Sequence, residues 1–361
     1  MRVFVAGLGA ALACLLVAAC SRQAASPDVD MPPGGPRADL TAAQKAAFDR
    51  GLAAFTREYA PASGLGPHFN APSCATCHNL PTAGGVGPDS ILVQVLFDKQ
   101  TDFVGVLPNQ HIAGRQPLPV PAGGIIDRRR GPPLYGLGLL EQVTDDEMRA
   151  NCDPDDKDGD GVRGHVNVNP HYDGRPGKFG LQAHTSSIRD FIGNALAGEI
   201  GITNTVNRDP VKQRDDDAVP DPEAATSVVD DLTAYVAGMA VPKPARAEPE
   251  GLAVFSRVGC ATCHKPDAGK LAPGAYTDLC VHSMGPKFDS GIMDFSSRGD
   301  EWRTAPLFGL RFRSTYFHDG RAKDLPSAIA MHGGESAGSA QRYSALGQAD
   351  QQALLRFLAA L

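Results

Sequence analysis

Aromatic residues are scarce in this chain. They make up 6% of its 361 residues, with a single tryptophan, Trp302. Basic residues are not in surplus either: 34 Lys and Arg stand against 41 Asp and Glu, a formal net charge of −7. That balance excludes the electrostatic footprint of a nucleic-acid-binding protein. The triplet Arg128-Arg129-Arg130 is too short to change this, and reads either as a solvated surface run or as a partner for carboxylates. Gly and Pro, by contrast, number 40 and 29, which predicts a loop-rich chain with few long regular elements.

The N-terminus lacks a tract long enough to span a membrane. Arg2 is followed by the nearly all-apolar stretch Val3 to Ala19, which has the length of a secretory signal core. It closes on Val17-Ala18-Ala19-Cys20, which resembles a bacterial lipobox and implies cleavage before Cys20 and its lipidation. The plainer reading is an ordinary signal peptide cut near Ala19. Either way the mature chain is exported. Residues 21–38, small and polar without periodicity, read as a tether. The expected location is therefore the periplasm, with the soluble body anchored to the membrane by an N-terminal lipid.

Eight cysteines are present. Cys14 and Cys20 belong to the export segment. Four others fall in two identical motifs, Cys74-Ala75-Thr76-Cys77-His78 and Cys260-Ala261-Thr262-Cys263-His264. C-x-x-C-H is the c-type haem attachment sequence: two thiols add to the porphyrin vinyl groups, and the His places a nitrogen under the iron. A redox dithiol does not need the trailing His, and zinc needs a second ligand pair for each motif. The expected cofactors are thus two covalently bound haems, with His78 and His264 as iron ligands. Cys152 and Cys280 are left either as a disulfide or as two buried thiols.

The two halves repeat beyond these motifs. Gly51-Leu52-Ala53-Ala54-Phe55-Thr56-Arg57 precedes the first and Gly251-Leu252-Ala253-Val254-Phe255-Ser256-Arg257 the second, each reading as a helix with an apolar side. After the motifs, Arg130-Gly131-Pro132-Pro133-Leu134-Tyr135-Gly136-Leu137 matches Arg303-Thr304-Ala305-Pro306-Leu307-Phe308-Gly309-Leu310. An Arg before a Pro-Leu-aromatic-Gly turn suits a clamp for haem propionates, because a guanidinium offers a fixed fork of donors; Arg130 and Arg303 are the candidates. The repeat predicts one haem domain over 39–240 and another over 246–361, joined through the Pro-rich stretch 241–249. Helices are expected over Ala225–Met239, Gly251–Arg257 and Ala349–Leu361.

One acidic loop stands out in the first half. Asp156, Asp158 and Asp160 followed by Gly161 match the opening of an EF-hand-type calcium loop. The twelfth position is Asn167, where such a loop wants a bidentate Glu, so a solvated acidic turn is the competing reading.

These residues, with Tyr316-Phe317-His318-Asp319-Gly320-Arg321, resemble the bacterial di-haem cytochrome c peroxidase superfamily. Five further segments are similar to its di-haem oxidoreductase branch: Gly66-Pro67-His68-Phe69-Asn70, the acidic loop, Gly198-Glu199-Ile200-Gly201-Ile202-Thr203, His282-Ser283-Met284-Gly285 and His332-Gly333-Gly334-Glu335. The resemblance implies a mainly α fold: two cytochrome c-like helical domains packed face to face, loop-rich, with a long insertion in the first. It implies peroxide reduction with electrons from a small periplasmic donor, a cytochrome c or a cupredoxin. One haem takes in electrons and the other keeps an open iron position. In the peroxidases a Met lies fourteen residues after the His of the His-Asp-Gly turn; here that position, counted from His318, is His332. The second haem is then expected to carry His264 and His332, with Met331 and Met284 as rival sulfur ligands. The first haem lacks the family's distal His, since sixteen residues after His78 stands Gln94. Its far side is open, or closed by His111 or His184. Glu199 resembles the family's distal acid and is the expected general acid/base. Trp302 is either a core residue or a station between the haems. A non-catalytic di-haem electron-transfer cytochrome is the alternative function.

Overall fold

The computed structural model describes residues 33–101, 103–170, 174–207, 215, 217–270 and 272–361. Cys20, the export segment and most of the tether lie outside the described residues. Among those described, no helix is long and apolar enough to cross a membrane.

Four helices set the frame. Ala42–Thr56 starts at a capping box in which Thr41 and Gln44 satisfy each other's backbone N–H groups, and it packs along Thr226–Gly238. Pro249–Arg257 packs in the same way along the C-terminal helix Gln348–Ala360. The duplicated glycine explains the closeness of both crossings. A Cβ on Gly51 would run into Asp231 O and Tyr235, and one on Gly251 into Ala353 O and Phe357. The duplicated phenylalanine four residues on then points at the attachment histidine. Phe55 and His78 have ring centroids 6.4 Å apart, and Phe255 and His264 6.5 Å. The three helices expected from periodicity are all present within two residues of their bounds.

The expected mainly α class is not what forms. The chain is 34% helical and 14% strand, with several sheets. The longest strands lie in the first half, where Val93–Asp98 is the centre of a three-stranded antiparallel sheet between Phe103–Leu107 and Ile125–Arg129. The physical reason is local composition. Val93, Val95, Phe97, Phe103, Val104 and Val106 are β-branched or aromatic, the residue types that suit a pleated surface. Asp98 closes the hairpin by accepting from Gln100 N (2.9 Å) and from Thr101 Oγ1 (2.7 Å). Two shorter ribbons pair His68–Phe69 with Gln110–His111 and Val281–Ser283 with Glu301–Arg303.

The two repeated turns meet each other. A Cβ on Gly136 would lie 2.5 Å from the Phe308 ring, and one on Gly309 2.7 Å from the Tyr135 ring. Each aromatic thus sits on the other turn's glycine, and both glycines have positive φ, +81° and +59°. One buried core accordingly runs from Phe48 and Phe55 through Tyr135 to Leu279 and Phe308, taking residues from both halves. A smaller one joins Val254, Phe255, Leu307, Leu310 and Phe357. Cys152 and Cys280 form a disulfide across 128 residues, with Cα atoms 5.8 Å apart.

Gly309→Ala is expected to cost roughly 2–4 kcal/mol, from a left-handed backbone plus a clash with Tyr135. Gly114→Ala shares the backbone conformation (φ +87°) but meets nothing within 4 Å, so it should lose only the first part. Urea unfolding of the two variants checks the ordering.

Candidate functional site

Both C-x-x-C-H motifs fold into a single tight turn. Cys74–Cys77 is a one-turn helix capped by Ser73, and Cys260–Thr262 is a 3-10 turn entered through Gly259. The spacing places both thiols of a pair on one face. The next backbone N–H returns to the first cysteine: His78 N donates to Cys74 O (3.1 Å) and His264 N to Cys260 O (2.9 Å). Each imidazole is then fixed through Nδ1, on Pro132 O at 2.9 Å for His78 and on Tyr276 O at 3.0 Å for His264. That bond selects the tautomer with a proton on Nδ1 and a lone pair on Nε2, the arrangement of an iron-ligating histidine. Burial disfavours the charged form of both rings; it lowers the pKa of His78 and brings that of His264 to about 4.

The thiols are equally telling. Burial pushes Cys74 up to about 12, Cys77 and Cys260 to about 11, and Cys263 also upward. The pairs fit porphyrin attachment, which needs two adjacent thiols beside an oriented Nε2.

The two sites differ on their far sides. His332 caps the end of helix Leu325–Met331, with Nδ1 on Ala328 O at 2.8 Å, and its ring faces that of His264 at 6.5 Å between centroids. A metal–nitrogen bond of about 2.0 Å on each side, plus roughly 1.2 Å from nitrogen to ring centre, requires about 6.4 Å. The pair therefore has the spacing of two axial ligands. Of the rival sulfurs, Met331 is exposed and Met284 Sδ accepts from Ser336 Oγ at 3.7 Å. Among the described residues no imidazole stands opposite His78 in this way. His111 is exposed on its short strand, with Nδ1 near Ile112 O, and His184 Nδ1 lies 3.0 Å from Asp294. Gln94, in the family's distal position, sits in the central strand of the sheet.

What the structure brings to the first site is Glu199. It lies in the π turn Leu196–Ile200, a form frequent at functional sites, and its charge reaches both Cys74 and Cys77. Two of the segments singled out by resemblance clasp here: Asn70 N donates to Glu199 O (2.7 Å) and Gly66 N to Ile200 O (3.2 Å). Asn70 also fixes the carboxylate, donating Nδ2 to Glu199 Oε2 at 2.7 Å. It is itself held through Oδ1 by Asn109 N (3.0 Å) and through its carbonyl by Gln110 (2.6 Å). Sequence reasoning assigned Asn70 no role; its contact with Glu199 spans 129 residues.

The two candidate clamps are not equivalent. Arg130 is buried with its donors engaged by Gly87 O (2.7 Å), Thr315, Ser314 and Asp89 (2.9 Å). Arg303 donates Nε to Gly180 O at 3.0 Å, and its Nη1 is out of contact with solvent and without an acceptor. An orphaned buried guanidinium nitrogen is what a carboxylate-bearing cofactor would satisfy. Trp302 is stacked on His318 at 3.7 Å and 4°, and donates to Phe288 O.

The acidic loop gathers Asp156, Asp158 and Asp160, with oxygens within 4.8 Å of one another. Each also accepts a local backbone N–H, from Gly161, Asp160 and Val162 respectively. Asn167 faces away: fully buried, it bonds Gln182 O, Asp294 O and Ser296. It supplies no twelfth ligand.

His282 is a group the sequence did not assign. It is buried between two carboxylates, Nε2 on Asp278 at 2.9 Å and Nδ1 on Glu335 at 2.8 Å, with Cys263 Sγ 3.9 Å away.

Residues 123–361 match the family model described as "Di-haem oxidoreductase, putative peroxidase". No curated protein sequence matches the chain. Among solved structures, the chain is similar to a hydrazine synthase of Kuenenia stuttgartiensis, determined under 20 bar of xenon. The identity is 15% and the TM-score 0.41, over 98% of this chain and 100% of that one. A likeness of that size carries no inference about activity.

The His282 pair yields a pH signature. Burial lowers the His282 pKa, but the hydrogen bonds that its ring donates to Asp278 and Glu335, with the Cys263 contact, outweigh it and hold the group far above its ordinary 6.5. For Glu335, burial raises the pKa and the His282 contact more than reverses this, leaving it below 4.5. A raised His pKa gives stability that is full below pH 6.5 and lost as pH rises toward the folded value. A depressed Glu pKa gives stability present above pH 4.5 and lost as pH falls. His282→Gln should therefore cost about 3 kcal/mol, most between pH 4.5 and 6.5 and less on either side, as read from chemical denaturation across pH.

Proposed function

The chain belongs to the di-haem oxidoreductase family, and on that premise we propose that it is an exported peroxide-reducing enzyme with a division of labour between its two haem sites. The observation that carries this reading is the asymmetry: two imidazoles 6.5 Å apart at the second motif, one imidazole and an oriented carboxylate at the first. Cys74, Cys77 and His78 would hold one haem and Cys260, Cys263, His264 and His332 the other. Bound there, the iron porphyrins supply the one-electron chemistry.

The chain's own residues do the rest. His264 and His332 would hold the second haem's iron between them, leaving no room there for an oxidant, which suits this site to electron entry from a small periplasmic cytochrome c or cupredoxin. With imidazole where the peroxidases have thioether, this site has a lower potential than theirs. At the first site Glu199, held by Asn70, takes a proton from hydrogen peroxide and returns it to the departing oxygen. Two electrons and two protons then balance one peroxide against two waters. The reading places the protein in the periplasm, anchored through a lipidated Cys20.

Glu199→Gln should lower peroxide turnover by about 10²–10⁴-fold while haem content and optical spectrum stay unchanged. Undiminished turnover would remove Glu199 from the mechanism. His332→Ala should convert the second haem from low-spin to high-spin. Two haems in the native protein that are low-spin and inert to peroxide, cyanide and carbon monoxide would leave only electron transfer.

A further inference from the structure

Where the two repeated turns meet, three donors have no acceptor. Tyr135 is 2% exposed, and its hydroxyl is without a hydrogen-bond partner. Arg303 Nη1 and Arg313 Nε are likewise out of contact with solvent and unpartnered. Both guanidiniums are held in place by single carbonyl contacts, Arg303 on Gly180 O and Arg313 on Pro306 O, each at 3.0 Å. The Tyr135 hydroxyl lies against Gly309, on the turn between them in sequence.

The charges in this corner do not cancel. Burial lowers Arg303 to about 10 and also lowers Arg313, and the Arg313 guanidinium further disfavours the charge on Arg303. Asp278 lies within reach of Arg303, but its oxygens already accept from Cys280 N and His282. The groups facing Arg313 are Tyr135, Tyr316 and Arg130, none a carboxylate. Neighbouring cations are provided for: Arg130 has Asp89, and Arg311 donates to the carbonyls of Lys243, Ala360 and Leu361. Two buried guanidiniums and a phenol with spare donors form an anion pocket of the kind that binds planar carboxylates. The pocket belongs to the second motif. Leu307 N donates to Ala275 O (3.1 Å), and the adjacent Tyr276 carbonyl fixes His264.

We propose that Tyr135, Arg303 and Arg313 together bind the propionate carboxylates of the haem attached at Cys260 and Cys263, so that the first half supplies a ligand to the second half's cofactor. This rests on the haem reading above and extends it by two residues, Tyr135 and Arg313, to which neither the repeat nor the resemblance assigned a role. Duplication supplied the turn, and the exchange of Phe308 for Tyr135 at the matching position supplied the hydroxyl.

The test is spectroelectrochemical titration of the holoprotein with the two haems resolved, on Arg313→Gln, Arg313→Lys, Tyr135→Phe and Arg311→Gln. Mass spectrometry first establishes two covalent haems in each. The midpoint potential of the second haem should fall in Arg313→Gln, fall less in Tyr135→Phe and Arg313→Lys, and become more dependent on pH, because carboxylates that lose donors take up protons more readily. The first haem should not move, and Arg311→Gln should move neither. If Arg313→Gln does not fold, Tyr135→Phe and Arg313→Lys decide. Potentials and pH dependence equal to wild type with both haems in place overturn the proposal and leave the haem reading intact, as does a shift confined to the first haem. A wild-type protein with no covalent haem overturns the haem reading itself.

Discussion

The structure depends on one contact made twice: an aromatic ring from each repeated turn lying on the glycine of the other. Tyr135 on Gly309 and Phe308 on Gly136 bring the turns to van der Waals distance, which only residues without a Cβ and with access to positive φ permit. The contact merges residues of both halves into one core and fixes the relation between the two attachment motifs. It also gathers Arg303, Arg313 and Tyr135 into one corner. In a chain with few aromatics, placing two of them at this junction concentrates apolar burial where the halves must not slide.

Around that junction each half repeats the same local solution. A glycine lets the first helix cross the last one closely, a phenylalanine four residues later meets the attachment histidine, and a backbone carbonyl takes that histidine's Nδ1 proton. Three weak constraints in series, steric, aromatic and hydrogen-bonding, orient one nitrogen. The disulfide between Cys152 and Cys280 adds a covalent tie near the second motif, two residues from His282.

How much of this was legible in the sequence follows from the range of the interactions. The attachment motifs, the duplicated helix and turn, and the three long helices were readable because their chemistry or periodicity lies within a few residues. The sheet over residues 93–129 is not legible in the same way, because strand pairing is non-local and the resemblance implies a helical fold. The grip of Asn70 on Glu199 spans 129 residues, and that of Arg130 on Thr315 spans 185. No spacing rule reaches so far. The Cys152–Cys280 bridge stayed undecided for the same reason, since two cysteines announce chemistry but not proximity. His282 was noticed only as part of a segment, because its meaning lies in the two carboxylates that face it.

Duplication normally yields two copies of one site, and the departures from symmetry are therefore the informative part. Apart from the sheet of the first half, those near the two motifs are polar. His332 faces His264 with no counterpart at the first site, and Glu199 with Asn70 has none at the second. Tyr135 differs from Phe308 by one hydroxyl, while Arg130 is satisfied by the protein and Arg303 is not. An apolar scaffold tolerates such changes one at a time, because each needs only a partner and not a new backbone. The unsatisfied cations argue further. A buried donor left unpaired costs about 1–3 kcal/mol, more when charged, against a total stability of about 5–15 kcal/mol for a typical domain. Two such cations in one corner are stabilised by an anion that reaches both, which is the physical ground for the propionate proposal.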